Sequence, residues 1–464
     1  MENTYDIVII GSGPGGYVAA IKGAQAGKKV ALVEKSELGG ICLNWGCIPT
    51  KALLKSASVF AELKHASQYG VNAGSPTVDF GKVMSRSRDV ARQNSNGVQF
   101  LMKKHKIDIV KGQAKLLAKG LVEVAGETKQ TLKAGSVIIA TGASPRAFPQ
   151  YPIDGEKFLT YRHALAISEC PKRLLIIGAG AIGVEFAYFF NALGTEVHLV
   201  EMLPQILPVE DEEISKGLLA AFKKQGIHSY VSTTVAETKV VNAGIEVKLL
   251  DAQKQEIKFT VDKVLVAVGM VPNSKELGLE TAGVKTDERG FIKVDAHQQT
   301  SVSGVYAIGD VAGRQLLAHK ASAEAEVAVA HAIGKSKHAL DYGQIPGCTY
   351  CEPQVASIGL TEKVCTEKKI AVKIGRFPFS ASGKARAVGH TEGLVKLIFG
   401  AKYGELLGAH ILGSEATELL AELGLAMKLE ATYEEVMETV HAHPTLSEAI
   451  MEAAADSQGM ATHI

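Results

Sequence analysis

Residues 6–16 read DIVIIGSGPGG. The apolar run 6–10 has the length and composition of a buried strand. Gly11, Gly13 and Gly16 follow, and apolar residues at helical spacing run from 17 to 26. A second strand-like run, 29–33, ends at Glu34. The G-x-G-x-x-G spacing by itself is weak, and a glycine-rich turn without a ligand is the competing reading. Between a strand and a helix, with an acid closing the next strand, it points to a dinucleotide-binding turn. In such a turn Gly11 makes the tight bend, Gly13 lets a pyrophosphate approach the backbone, and Gly16 lets the helix pack closely. The pyrophosphate rests on the helix N-terminus, and Glu34 accepts hydrogen bonds from ribose hydroxyls.

The same unit occurs twice. A strand at 174–177 leads into Gly178, Gly180 and Gly183, a helix over 184–193, and a strand at 196–200 ending at Glu201. Twenty-three residues separate the first glycine from the acid in both units. Two dinucleotides are therefore expected, FAD on one unit and a nicotinamide cofactor on the other. A carboxylate at 201 accepts from a free ribose 2′-OH and repels a 2′-phosphate. No arginine follows in 202–206 (MLPQI), so NAD is expected rather than NADP. Strands at 137–140 and 264–268 run into Thr141-Gly142 and Gly269, which on the residues alone are plain strand-end turns.

Residues 39–51 read GGICLNWGCIPTK and hold Cys42 and Cys47. A disulfide needs Cα atoms within ~7 Å, whereas residues five apart in a regular helix lie roughly 8–9 Å apart. Bridging these two requires irregular backbone, which Gly46 permits. Pro49 suits the first turn of a helix running on to Leu54. Cys47 would sit just before that helix, where the dipole favours a thiolate, with the charge of Lys51 one turn on. A redox-active disulfide, two structural cysteines and a metal pair are all compatible with the spacing. Zinc sites usually bring a second ligand pair, and no good one is apparent. Cys348 and Cys351 form a C-x-x-C without a matching His or Cys pair, which reads as structural.

Fifty basic against forty-nine acidic residues leave no electrostatic case for nucleic acid or an anionic membrane. A length of 464 residues suits two to four domains. The start, MENTYDIVII, lacks a secretory or transit pattern, and no apolar run is long enough to span a bilayer, so a cytoplasmic protein is expected. There a persistent disulfide is more often catalytic than structural. Helices are expected at 56–65 and 80–106, and strand-like structure at 111–124. After a composition shift at 341–346, strands (354–360, 370–377, 393–399, 406–411) precede helices (416–428, 433–439, 445–455), an α+β pattern. Residues 441–448 read HAHPTLSE. Pro444 suits a helix start, and Glu448 in its first turn reaches back to His443. A His–Glu pair orients the ring and raises its basicity, as a general base needs; a capped turn is the plainer reading.

Segment 39–51, both fingerprints, residues 300–310 (TSVSGVYAIGD) and HxHPTxSE resemble the flavin-dependent pyridine nucleotide–disulfide oxidoreductases, in family order over nearly the whole chain. Within that family the C-terminal motif is similar to that of the dihydrolipoamide dehydrogenases. The resemblance implies an α/β fold with two Rossmann-like dinucleotide-binding domains, for FAD and NAD, then an α+β dimerisation domain. Its divisions would be 1–148 for FAD, 149–272 for NAD, 273–344 completing the FAD site, and 345–464 for the homodimer interface. It implies that Cys42 and Cys47 cycle between disulfide and dithiol, Cys42 exchanging with substrate and Cys47 nearer the flavin. Lys51, Ala114 in the turn 112–114, Thr141, Gly142, Asp310 on the ribityl chain, and Ala318 at the start of the helical stretch 318–333 would join Gly11, Gly13, Gly16 and Glu34 around FAD. Glu185 would lie near the flavin and pair with Lys51, although as a bare residue it reads as solvated. Gly178, Gly180, Gly183, Glu185, Glu201 and Gly269 form the NAD set. His443 and Glu448 would be the acid–base pair serving the other subunit's disulfide, with His441 a neighbour, and no metal is expected. The implied reaction is oxidation of dihydrolipoamide on an acyltransferase or carrier protein. An NADP-linked disulfide reductase and an inactive binding protein are the alternatives. Trp45, the only tryptophan, departs from the small aliphatic residue more common there.

Overall fold

The strand Thr4–Ile10 lies in the middle of a sheet whose parallel part runs Asp108–Lys111, Val30–Glu34, Thr4–Ile10, Gln130–Ile139, Val305–Ala307. Both of its faces are buried. Val8 and Ile10 join Ala31, Val33, Val137 and Ile139 on one side. Ile7 and Ile9 join Leu32, Ile138, Ala19 and Ala20 on the other. A parallel sheet covered on both sides reads as an unbroken apolar run, and that is why 7–10, after the exposed Asp6, carries no polar alternation.

The computed structural model describes residues 3–335 and 338–464. It divides into two compact units: Met1–Ala52 with Gly81–Arg146 and Gly269–Leu340, and Leu53–Phe80 with Ala147–Val268 and Asp341–Ile464. In the first unit the helix after the fingerprint is Pro14–Gln25, starting three residues before the apolar pattern at 17. Gly15 and Gly16 lie in its first turn, and glycines carry no hydrophobic period to read. This helix packs on Ala318–Ala332 so closely that a Cβ on Gly15 would lie 3.2 Å from the Ala321 carbonyl oxygen. The strand-like stretch 111–124 resolves into Asp108–Lys111, Gln113–Ala118 and Leu121–Ala125, the last two antiparallel.

The second unit repeats the parallel arrangement in the order His228–Tyr230, Glu196–Val200, Arg173–Ile177, Lys263–Val266, Phe158–Leu159. It adds a three-stranded antiparallel sheet, Thr234–Val241, Gly244–Leu250 and Glu256–Val261, which the motif pattern did not reveal. Its C-terminal part is a five-stranded antiparallel sheet ordered Gly347–Thr349, Gln354–Gly359, Leu406–Gly413, Leu394–Gly400, Val372–Pro378. The helices Ala416–Lys428, Tyr433–Glu438 and Glu448–Asp456 follow, in the expected α+β order. The last begins at Glu448 rather than 445, and bends and a turn precede it. Among the described residues no helix is long and apolar enough to cross a membrane.

Candidate active site

The two fingerprints match in geometry as well as in spacing. Gly11 has φ +99° and Gly178 φ +98°, a region that only glycine enters readily. A Cβ at Gly16 would lie 1.9 Å from the Gly11 oxygen, and one at Gly183 1.9 Å from the Gly178 oxygen. At Gly13 and Gly180 a Cβ would meet nothing within 4 Å, and neither following helix has a side-chain cap. These are open cradles at helix N-termini, and they fit the pyrophosphates of FAD and NAD. Gly183→Ala is expected to raise the NAD⁺ KM at least ~10-fold while FAD content per chain stays at the wild-type level, because the turn must open to admit the methyl group. Saturation kinetics with flavin absorbance per chain measures both.

The strand-end acids are held alike. Glu34 accepts from the Ser12 N–H at 2.9 Å, the Ser12 hydroxyl at 2.6 Å and the Ser36 N–H at 2.8 Å. Glu201 accepts from the Ala179 N–H at 2.9 Å and the Leu203 N–H at 3.0 Å. Each carboxylate is thereby aimed along its glycine turn, with acceptor capacity left for a ribose. The Gly112 N–H donates to the Glu34 carbonyl at 2.9 Å, and Ala114, expected in a turn, is instead a buried residue of the strand Gln113–Ala118, paired with Val124.

Gly40, which sequence reasoning left unassigned, joins this cradle to the redox segment. It has φ +62°, and a Cβ there would lie 2.7 Å from Gly13 Cα. The Gly39-Gly40 dipeptide was the available signal. The helix Gly40–Trp45 ends at Gly46, with φ −148° and ψ −113°, and a second helix, Cys47–Lys64, begins at once. Gly46 is thus the irregular point that the cysteine spacing demands. Cys47 is the first helical residue rather than the one before it. Its N–H donates to the Cys42 sulfur, so the helix N-terminus acts on Cys42 as well.

Both cysteines are thiols, and Cys42 donates its S–H to Cys47. That hydrogen bond, then burial and the Cys47 charge, push the Cys42 thiol up; the charge of Lys51 and the Cys47 N–H pull it down. Two thiolates this close repel each other, so at least one of the pair keeps its proton. Cys47 is exposed and Cys42 half-buried, the reverse of the order anticipated for an exchanging thiol at 42. A thiol that faces a flavin ring is covered by the ring and not by protein.

Thr141 and Gly142 are tied to Asn273, another residue without an assigned role. The Thr141 hydroxyl donates to the Asn273 carbonyl at 2.8 Å, and Asn273 Nδ2 donates to the Thr141 carbonyl at 2.9 Å. Gly142 and Gly269 both have positive φ and open space at Cβ. Asp310 sits in the turn Gly309–Ala312 over a fully buried ion pair, Lys320 and Glu324, 3.2 Å apart. Lys320 donates to the Gly309 and Gly313 carbonyls at 3.1 and 3.0 Å, and the Gly309 N–H donates to Glu324 at 2.7 Å. Burial pushes the Asp310 carboxyl above its ordinary value, Lys320 opposing and Glu324 adding. Ala318 is the first residue of the helix that carries this pair.

In the second unit Glu185 is buried, not solvated, and accepts from the Tyr350 N–H at 3.0 Å. The Tyr350 hydroxyl is pushed up to about 12 by burial, then by Cys348 and Glu185. Cys351 is buried and donates to the Pro353 carbonyl at 3.1 Å. Among the described residues no group of three or more His, Cys, Asp or Glu is placed to hold a metal ion.

Glu448 does reach His443: Nδ1 lies 2.9 Å from Oε1, and the Thr445 N–H donates to Oε2 at 2.8 Å. Burial would raise the Glu448 carboxyl, but the Thr445 N–H and the His443 bond outweigh it and hold it below its ordinary value. An ionised carboxylate only accepts, so Nδ1 carries the hydrogen and Nε2 keeps its lone pair. His443 is 79% exposed, open to an incoming thiol. His441 is instead buried, with Nε2 2.8 Å from Glu422 and Nδ1 2.8 Å from the Thr439 carbonyl.

A family profile described as pyridine nucleotide-disulphide oxidoreductase matches residues 5–325, and the profile of that family's dimerisation domain matches residues 345–454. The dihydrolipoyl dehydrogenase of Zymomonas mobilis is 46% identical over 466 residues, covering 100% of both chains. That of Rhizobium etli is 47% identical over 479 residues, covering 99% of each. The crystal structure of LpdA from Mycobacterium tuberculosis superposes with a TM-score of 0.90 at 26% identity, covering 97% of this chain and 98% of that one. Similarity along the full length joins the duplicated cradle and the paired thiols in one conclusion: the chain belongs to the pyridine nucleotide-disulphide oxidoreductase family.

Proposed function

We propose that this chain oxidises protein-bound dihydrolipoamide to lipoamide and reduces NAD⁺ to NADH. It is an FAD-dependent oxidoreductase acting on a sulfur group, as are the relatives named dihydrolipoyl dehydrogenase. The observation that carries the reading is the meeting of Cys42 and Cys47 across Gly46.

In the disulfide state, His443 Nε2 takes the proton of one substrate thiol. The resulting thiolate attacks Cys42, forming a mixed disulfide and releasing Cys47 as a thiolate. The second substrate sulfur then attacks the first, its proton passing to Cys42, which leaves as a thiol while the lipoamide ring closes. FAD, which the first glycine cradle with Glu34, Thr141 and Asp310 would hold, would supply the two-electron carrier between this dithiol and NAD⁺. Lys51 favours the thiolate form of the pair, and Glu448 keeps His443 in the tautomer that accepts at Nε2.

On this reading 1–148 and 273–344 hold FAD, 149–272 holds NAD, and 345–464 forms a homodimer in which each His443 serves the other subunit's cysteines. The lipoyl group arrives on an acyltransferase or carrier protein, and the location is cytoplasmic. Glu201 sets the nucleotide: a 2′-phosphate would face its carboxylate, and a like-charge juxtaposition costs several kcal/mol. NAD⁺ is expected to exceed NADP⁺ by roughly 100-fold in kcat/KM on that account. Rates of dihydrolipoamide oxidation with each nucleotide, measured side by side, test the proposal. Inactivity with dihydrolipoamide, together with NADPH-driven reduction of glutathione disulfide, would overturn it.

A further inference from the structure

The helix Phe80–Lys104 meets the redox segment at four backbone carbonyls. The Ser95 hydroxyl donates to Leu38 O at 2.9 Å, and Arg88 Nη1 to Asn44 O at 2.6 Å. The Ser87 hydroxyl donates to Pro49 O at 2.9 Å, and Arg86 Nη1 to Ala52 O at 2.8 Å. One helix thus brackets the segment from before Cys42 to beyond Cys47.

Arg88 makes two of these contacts count together. Asn44 O is among the last carbonyls of the helix Gly40–Trp45, where helical donors run out. The guanidinium carbon of Arg88 also lies 3.9 Å from the centre of the Trp45 ring, a cation–π contact. On its other edge the Trp45 Nε1–H donates to Glu37 Oε1 at 3.4 Å. Asn44 and Trp45 are the two residues immediately before Gly46.

We propose that Arg88 is a positioning residue for the redox pair, which fixes Asn44 and Trp45 and so holds the Gly46 break at which Cys42 meets Cys47. The proposal rests on the reading of these cysteines as a redox couple. A closed disulfide needs both sulfurs within bonding reach, and freedom at Trp45 lowers the effective concentration of one thiol at the other. Loss of Arg88 therefore favours the dithiol, whereas its presence favours the disulfide. The contact also gives a role to the tryptophan at position 45.

The test equilibrates the FAD-loaded enzyme, without oxygen, in mixtures of reduced and oxidised dithiothreitol. Each turn of the exchange converts one Cys42–Cys47 disulfide and one dithiol reagent into two cysteine thiols and one cyclic disulfide. Acid quenching and alkylation then count the thiols by mass. Arg88→Gln is expected to shift the equilibrium ~10-fold toward the dithiol, which is about 30 mV for a two-electron couple. Arg88→Lys, which keeps a cation and a donor, is expected to recover most of that shift. Fluorescence from Trp45, the sole tryptophan, is expected to change in Arg88→Gln. An equilibrium within ~2-fold of wild type in a fully flavinated Arg88→Gln protein overturns the proposal, since alkylation by a merely structural surface contact would not move. If Arg88→Gln loses its flavin, Trp45→Ala reads the same contact, and an unshifted couple there overturns it equally. A wild-type protein that gains no thiols at any ratio would defeat the redox reading itself, an outcome separate from the other two.

Discussion

Cys47→Ser is expected to reduce dihydrolipoamide-dependent NADH formation to the background rate while the purified protein stays yellow. A serine hydroxyl cannot form the disulfide that accepts the electron pair. The residues proposed to hold FAD, from the glycine turn and Glu34 to Lys51, Thr141 and Asp310, are left in place by the substitution. The variant also separates two titrations. Cys42 is pushed up first by its hydrogen bond to Cys47, then by burial and the Cys47 charge. With a neutral hydroxyl at 47, Lys51 and the residue 47 N–H still act on Cys42, and its pKa falls. Alkylation of Cys42 at neutral pH is therefore expected to accelerate. Flavin absorbance per chain, NADH formation and the alkylation rate check the three parts, and turnover near wild type would remove Cys47 from the reaction.

His443→Gln is expected to lower turnover by ~10²–10⁴-fold, the usual contribution of a positioned general base. Glutamine fills similar space but cannot take a proton. Flavin content and the thiol count should not change, because the substitution alters neither cysteine and none of the residues proposed to hold FAD. A small loss would mean that another group accepts the substrate proton. Glu448 governs the pH window of this pair. Its folded pKa is depressed, so the dyad's contribution is present above the ordinary glutamate value, 4.5, and is lost as pH falls through the lower folded value. The Glu448 carboxylate accordingly stays ionised throughout neutral pH.

Much of this was legible because it depends on short-range patterns. A strand buried on both faces must be apolar at every position, and a turn under a pyrophosphate must be glycine at Gly11 and Gly13. Those demands appear directly in 6–16 and again at 178–183. The five-residue step from Cys42 to Cys47 likewise required a break in the helix, found at Gly46. The errors lie where a side chain's surroundings come from elsewhere in the chain. Glu185 reads as a solvated helix residue, yet a backbone N–H from Tyr350 holds it in the interior. Cys47 was placed outside its helix because Pro49 marks the first turn without saying where that turn begins. The last helix starts at Glu448, whose side chain takes the Thr445 N–H ahead of the first helical turn.

The two dinucleotide units, the spacing of Cys42 and Cys47 and the reach of Glu448 to His443 are written in residues close together along the chain. What holds them in place comes from contacts between distant segments. Gly40 lies against Gly13, Asn273 ties down Thr141, the buried Lys320–Glu324 pair supports Asp310, and Arg88 grips the carbonyl beside Gly46. Each of these joins residues distant in sequence through a hydrogen bond or a van der Waals contact. Such contacts have no periodicity, because they depend on which surfaces the folded sheets bring together rather than on the local path of the backbone.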